Sequence, residues 1–501
     1  MLRSLRSYSG PWAFAGVAVA MLINLMSATA LSAAPPQDES PVSFINDVAP
    51  ILKKNCFGCH NAKKKSGKLD MTTFEKFRTG GRHDDPIEPG RPKDSYLTYV
   101  LTASGAAVMP PKEAGKPLPK DQIALISRWI EEGAKLDKGI DTQADLLNEL
   151  RVRWQPPALL VKYQRPALIN AVAFTPDGKH LVTSGYHELL VWTVDTGELK
   201  KRIHTRAERA HDMEFLKNGL LAVAGGRPGQ EGDVRIYDLK GKATTKNGVA
   251  FFDGVNDPSV LVTELVQTDD EVLTVDSSDD GKTLAASGCD RLVRVWDIAG
   301  GVKQAKLLDA IENHADWVFD VNFSGNGQYV VTASRDKSAK VWDLKAKESL
   351  VTFQGHKEVV YSAVMSPDNK ISISTGADNQ IRSWRSEPKS KQLGRQVRAF
   401  GGHSKAVFKL IEFRKGKDQT LISCSADGSV RVWDGVRGRQ LKTLSGFKDW
   451  VYTIAISADG SRVAAGGYSG MVRIWNIQDG KEIRAFNASP GYLPLVRKST
   501  R

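Results

Sequence analysis

The 501 residues include 70 Lys and Arg against 57 Asp and Glu, a net charge of +13, with 41% hydrophobic and 25% charged residues. That balance excludes a disordered or fibrous chain and fits a globular protein of two or three domains. Four cysteines are too few for a disulfide-stapled secreted scaffold.

The chain opens with Arg3 and Arg6, no acid before Ser9, an apolar run from Trp12 to Leu31, and small residues over Ser27–Ala34 before Pro35-Pro36. This layout predicts a signal peptide over 1–34, cleaved after Ala30 or Ala34. The apolar run approaches the ~20 residues that cross a bilayer, so the rival reading is an uncleaved membrane tether. Either way the remaining chain is expected outside the cytoplasm, in the periplasm or cell envelope. There its positive charge suits an acidic redox protein or an anionic envelope surface, and nucleic acid is not an expected partner.

Ser43 is placed to cap a helix carrying Phe44, Val48, Ile51 and Leu52 on one face, with Pro50 marking a kink or a first turn. The helix runs into Cys56-Phe57-Gly58-Cys59-His60, the spacing that attaches a c-type haem. Each thiol adds to one vinyl group, and the adjacent imidazole becomes the proximal iron ligand. One covalent haem c is expected, on Cys56 and Cys59 with His60 beneath the iron. A zinc site would need a second pair of ligands, and Cys289 and Cys424 are solitary and distant. Those two are expected as small buried apolar residues. Lys63, Lys64 and Lys65 follow the motif, either as a basic rim that steers an acidic partner or as a solvated turn. Met109, held by Pro110 and Pro111, is the first candidate for the distal ligand; His83 and Met71 are the rivals. A second helix is expected after Pro119, with Ile123, Ile126, Trp129 and Ile130 inward and Gly133 as its stop.

Taken together, NDVAPILKKNCFGCHNAKKKSGKLDM, EPGRPKDSYLTYVL, VMPPKEAGKPLP and ISRWIEEGA resemble the planctomycete-type cytochrome c domain from about Ser43 to Leu136. The resemblance implies a small all-α domain over 41–137, with Cys56 and Cys59 as haem attachment sites and His60 as proximal ligand. It also sets Met109 in the family's MPP element. A linker over 138–157, with a short helix in TQADLLNELRVRW, is expected to follow.

From about Leu160 to Phe486 the sequence repeats. Copies end at Trp192, Tyr237, Trp296, Trp342, Trp384, Trp433 and Trp475, with five of the six spacings between 42 and 49 residues. The longer interval, after Tyr237, carries an insertion around Thr244–Val260. This period predicts an all-β seven-bladed WD-repeat propeller over 158–490. Leu159–Tyr163 is expected either as an edge strand on the last blade or as linker, and 491–501 as a basic tail. His314, His356 and His403 start three copies that also share Asp336, Asp378 and Asp427 before their tryptophans, and Thr332, Ser374 and Ser423 earlier. These resemble the WD-repeat polar network, so they are expected to be structural rather than catalytic or metal-binding.

The leading functional expectation is an exported haem protein that transfers single electrons, its propeller serving as a protein-docking scaffold. Two alternatives stand beside it: a propeller-based redox enzyme with a second cofactor, the haem relaying electrons, and a scaffold whose haem is structural or sensory. No catalytic residue is assigned.

Overall fold

The computed structural model describes residues 41–492 apart from 313, 416 and 417. The expected signal peptide and the tail beyond 492 lie outside the described residues. The chain divides into two compact units, one ending at Arg153 and the other beginning at Trp154.

The first unit is helical. The Ser43 hydroxyl accepts from Asn46 N–H at 3.0 Å, and Asp47 accepts from Ser43 N–H at 2.8 Å, closing a reciprocal cap. A π-helical turn over Phe44–Val48 passes into α1, Ala49–Asn55. Pro50 lies in the first turn of α1, where a missing N–H costs no helical hydrogen bond. Three further helices follow: α2 (Phe74–Thr79), α3 (Tyr96–Thr102) and α4 (Lys120–Glu131). The core is aromatic: the Phe44 ring lies 4.9 Å from Phe74 and 5.1 Å from Trp129. Burying each such side chain contributes about 1.5–3 kcal/mol. Ile126, Trp129 and Ile130 are buried as expected, Ile123 is only half-buried against the same core, and Gly133 ends α4 with φ +100°.

The boundaries 41–137 and 138–157 need correcting. A fifth helix, α5 (Leu146–Arg153), forms inside the expected linker and packs on the helical core through fully buried Leu146. Its entry is tied down by Leu146 N–H on the Thr72 carbonyl and Glu75 N–H on the Thr142 carbonyl, both at 2.9 Å. The remainder of that linker belongs to the second unit. The Arg227 guanidinium lies 3.4 Å from the centroid of the Trp154 ring, and the Pro157 carbonyl meets His204 Nε2 at 2.9 Å.

The second unit is the propeller. Among the described residues, seven sheets, antiparallel but for one added pair, form blades 1 to 7, spanning residues 172–204, 209–268, 272–312, 318–353, 360–400, 407–444 and 451–487. The innermost strand of each blade packs on the next, and blade 7 packs on blade 1. Each of blades 3 to 7 is four strands in chain order. The insertion explains the irregular interval. It forms a hairpin, Thr244–Lys246 and Val249–Asp253, that adds to the outer edge of blade 1, the second strand running parallel to Leu199–His204. The chain then returns to complete blade 2 with Leu261–Thr268.

Leu159–Tyr163 is not a strand; it closes the ring as a tether. Tyr163 donates its N–H to the Pro490 carbonyl at 2.9 Å and its hydroxyl to buried Glu188 at 2.8 Å. Blades 1 and 7 share no strand. An apolar cluster that includes Ile169, Trp192, Val472 and Ile474 joins them instead.

Candidate functional site

The Cys56–His60 motif continues the last turn of α1. Cys56 N–H and Phe57 N–H both donate to the Leu52 carbonyl, and Cys59 and His60 N–H both donate to the Cys56 carbonyl at 3.0 Å. This tight coil presents two thiols and an imidazole from five consecutive residues, and neither thiol is in a disulfide. The coil does not demand a glycine at position 58, since a Cβ there would meet nothing within 4 Å.

The chain downstream folds back onto the motif. Ser66 N–H donates to the Cys59 carbonyl and Met71 N–H to the His60 carbonyl. His60 Nδ1 lies 2.9 Å from the Ser66 carbonyl oxygen. A carbonyl can only accept, so Nδ1 carries the proton and Nε2 presents a lone pair. Burial lowers the His60 pKa, only partly opposed by the bond to Ser66, which favours the neutral form a metal ligand requires. Burial, then the neighbouring Cys59, pushes the Cys56 thiol up to about 12. The donor set and the oriented imidazole therefore fit a c-type haem. Ser66 was not legible as a partner, because any residue supplies a carbonyl.

The three distal-ligand candidates differ in their surroundings. Met71 is 2% exposed and packed into the helical core. His83 is exposed, its ring 4.4 Å from that of Tyr96. Met109 is half-buried just after α3, its N–H tied to the Val100 carbonyl at 2.9 Å. Lys63, Lys64 and Lys65 are exposed beside the motif, with Lys64 Nζ 3.6 Å from Cys59 Sγ.

In the propeller the expected polar networks form. His356 bridges Asp378 at 3.1 Å and Ser374 at 2.9 Å, and Trp384 donates its indole N–H to Ser374 at 3.1 Å. His403, Asp427, Ser423 and Trp433 repeat the pattern. His314 reaches Asp336 and Thr332, but the Trp342 indole N–H is buried without a partner among the described residues. Cys424 is fully buried, as expected, whereas Cys289 is only half-buried.

The sequence reading missed a polar cluster in the central channel. Lys409 of blade 6 pairs with Asp212 of blade 2, and Thr274 of blade 3 lies 3.3 Å from both Asp212 and Asp320. At one end these strands line a cavity of about 740 Å³ that also contains Glu214, Asp276 and Arg414. Burial holds Asp320 up to about 6, and it raises Glu214 and Asp276 well above the carboxylate range. Among the described residues no group of three or more His, Cys, Asp or Glu side chains is arranged to hold a metal ion.

Comparison with known proteins follows the same division. The family model described as planctomycete cytochrome C matches residues 56–113. The WD domain, G-beta repeat model matches six segments, 160–193, 259–297, 305–343, 347–385, 394–434 and 438–476. Residues 194–258, outside those six, hold most of blade 2. Curated relatives include the nuclear distribution protein nudF of Aspergillus niger, 25% identical over 373 residues, covering 66% of this chain and 76% of that protein. The nuclear distribution protein PAC1 of Coccidioides posadasii is 23% identical over 381 residues, covering 75% and 72%. PAC1 of Arthroderma otae is 28% identical over 231 residues, covering 41% and 49%.

Proposed function

We propose that this chain, a planctomycete-type cytochrome c domain joined to a seven-bladed WD-repeat β-propeller, is an exported single-electron carrier whose propeller docks a protein partner. The observation that carries the reading is the coil at Cys56–His60, where two thiols outside any disulfide and an imidazole share one turn and Ser66 fixes the imidazole proton on Nδ1. A c-type haem supplies, when bound, a one-electron couple tuned by its axial ligands.

The chain's residues do the rest. Cys56 and Cys59 anchor the group covalently. His60 offers Nε2 to the iron while the Ser66 carbonyl prevents ring rotation. Met109 would hold the group's iron through its thioether, its backbone fixed to α3 through Val100 and by the prolines after it. The exposed Lys63–Lys65 stretch offers positive charge to an acidic redox partner. The propeller supplies a rigid ring on which a partner is held.

The test is to express the full chain through an export pathway in a host that matures c-type haem. Intact mass and a pyridine haemochrome spectrum should report one covalent haem. Cys56→Ser with Cys59→Ser should leave the protein colourless but folded. Met109→Ala should lose the far-red charge-transfer band of a methionine-ligated oxidised haem. A colourless wild-type protein with two titratable thiols at the motif would end this reading.

A further inference from the structure

The innermost strands of six blades share an irregularity. In each, the pairing with the second strand skips one residue near the start, and the skipped residues are His211, Leu273, Phe319, Tyr361, Phe408 and Tyr452. A bulge of this kind re-aims a side chain out of the ladder. On blades 4 to 7 all four re-aimed residues are aromatic, and their rings form a continuous arc. Phe319 lies 5.3 Å from Tyr361, Tyr361 5.4 Å from Phe408, and Phe408 4.8 Å from Tyr452. Trp317 and Trp450, 37% and 48% exposed, extend the arc at its two ends.

At the Trp450 end the arc opens into a pocket of about 590 Å³ between blades 6 and 7, lined in part by Lys405, Phe447, Lys448, Asp449 and Tyr468. Tyr468 is 60% exposed. Exposed aromatic surface grouped at one site marks an interaction surface rather than random exposure. The charges specify the partner. Lys405 and Lys448 make no ion pair among the described residues. The Asp427 carboxylate, by contrast, is already taken up by His403, Ser429 and Ser404 N–H. Asp449 Oδ1 is buried with no hydrogen-bond partner, so it asks for a donor.

We propose that this mouth of the propeller binds an acidic peptide segment with an aromatic anchor. The anchor enters the pocket against Trp450 and Tyr468. Flanking carboxylates meet Lys405 and Lys448, and a peptide or indole N–H satisfies Asp449. The proposal rests on reading the propeller as a docking module and is independent of haem in the helical unit.

The probe is a random peptide library displayed on phage, panned against the purified full chain. Enriched sequences should combine acidic residues with an aromatic. A fluorescent peptide made from the consensus should bind roughly tenfold or more weakly to Trp450→Ala and to Lys405→Glu with Lys448→Glu, as for interface hot spots. Val436→Ala serves as the control, since its hairpin joins the third and fourth strands of blade 6 at the opposite end. It should bind as the wild type does. All variants alter exposed side chains, and their melting temperatures check that they fold. Enrichment of basic or neutral sequences would overturn the proposal, as would no enrichment at all. Binders untouched by the pocket variants would leave the docking role standing and remove this site. Haem content, read in the same samples, separates these outcomes from failure of the electron-carrier reading.

Discussion

Single hydroxyls hold the polar networks of blades 4 to 6, and the three networks are not equivalent. Ser374 serves both His356 and the Trp384 indole, as Ser423 serves His403 and Trp433, whereas Thr332 has His314 as its one side-chain partner, its other contact being the Lys340 carbonyl at 3.5 Å. Removing a hydroxyl that satisfies two buried groups should cost about 2–4 kcal/mol, and removing one that satisfies a single group about 1–2 kcal/mol. Ser374→Ala should therefore lower the melting temperature more than Thr332→Ala in parallel scans; equal shifts would mean the indole contacts contribute nothing. The aspartates add a pH dependence. Burial alone would raise Asp427, but hydrogen bonds from Ser429 and His403 overcome it and hold the carboxyl down to about 2, against an ordinary 3.8. A depressed carboxylate contributes stability that is present above its unfolded value and lost as pH falls through the folded one. Asp427→Asn should be less stable at neutral pH and show a flatter decline between about pH 4 and about pH 2, measured by circular dichroism during acid titration.

At the scale of elements, the seam between blades 1 and 7 relies on packing where other designs would share a strand. Ile169 is fully buried in that seam, and a methyl group on Gly466 would lie 2.4 Å from its side chain. Ile169→Ala should cost about 2–5 kcal/mol and make the ring more sensitive to limited proteolysis at the seam. The inserted hairpin predicts a second cost. Phe252 is 5% exposed in a core it shares with blades 1 and 2, so Phe252→Ala should destabilise by about 3–5 kcal/mol although it lies outside every repeat. The repeat spacing and the tryptophan positions made the seven blades legible, because each blade rebuilds the same buried contacts. The insertion was legible only as extra length, since its pairing to blade 1 is a long-range parallel contact that no local period encodes. The α5 boundary was missed for a similar reason. LLNELRVR reads as an amphipathic linker helix until Phe44 and Trp129 provide a core for Leu146. At the haem motif the ligating side chains were legible from spacing, whereas the Ser66 carbonyl and the bulge-directed aromatic arc depend on backbone geometry. The arc did leave a signal, the repeated start Trp317-Val318-Phe319, Val359-Val360-Tyr361, Ala406-Val407-Phe408 and Trp450-Val451-Tyr452.

At the scale of the whole ring, the central channel makes one cooperative unit of strands that lie far apart in sequence. Lys409 reaches Asp212 on the other side of the ring, 197 positions earlier. Asp320 accepts from Ser362, Ala363 N–H and Asn322. Glu214 of blade 2 accepts from both the N–H and the hydroxyl of Ser277 in blade 3, at 2.7 and 2.9 Å. Burial raises Glu214 first of all; the Ser277 bonds oppose it, and the Asp212 charge adds to it. An acid raised in the folded state contributes stability that is fully present below its unfolded value of 4.5 and lost as pH climbs through the raised one. The ring should accordingly be more stable in mild acid than in mild base, until the WD aspartates lose their charge at lower pH. Glutamine keeps a carbonyl for Ser277 and removes the titration. Glu214→Gln should melt close to the wild type near about pH 5 and above it near about pH 8, with the gap widening steadily between. A gap that stays constant across that range would mean Glu214 carries its charge in the folded ring, with Lys409 neutralising it from across the channel.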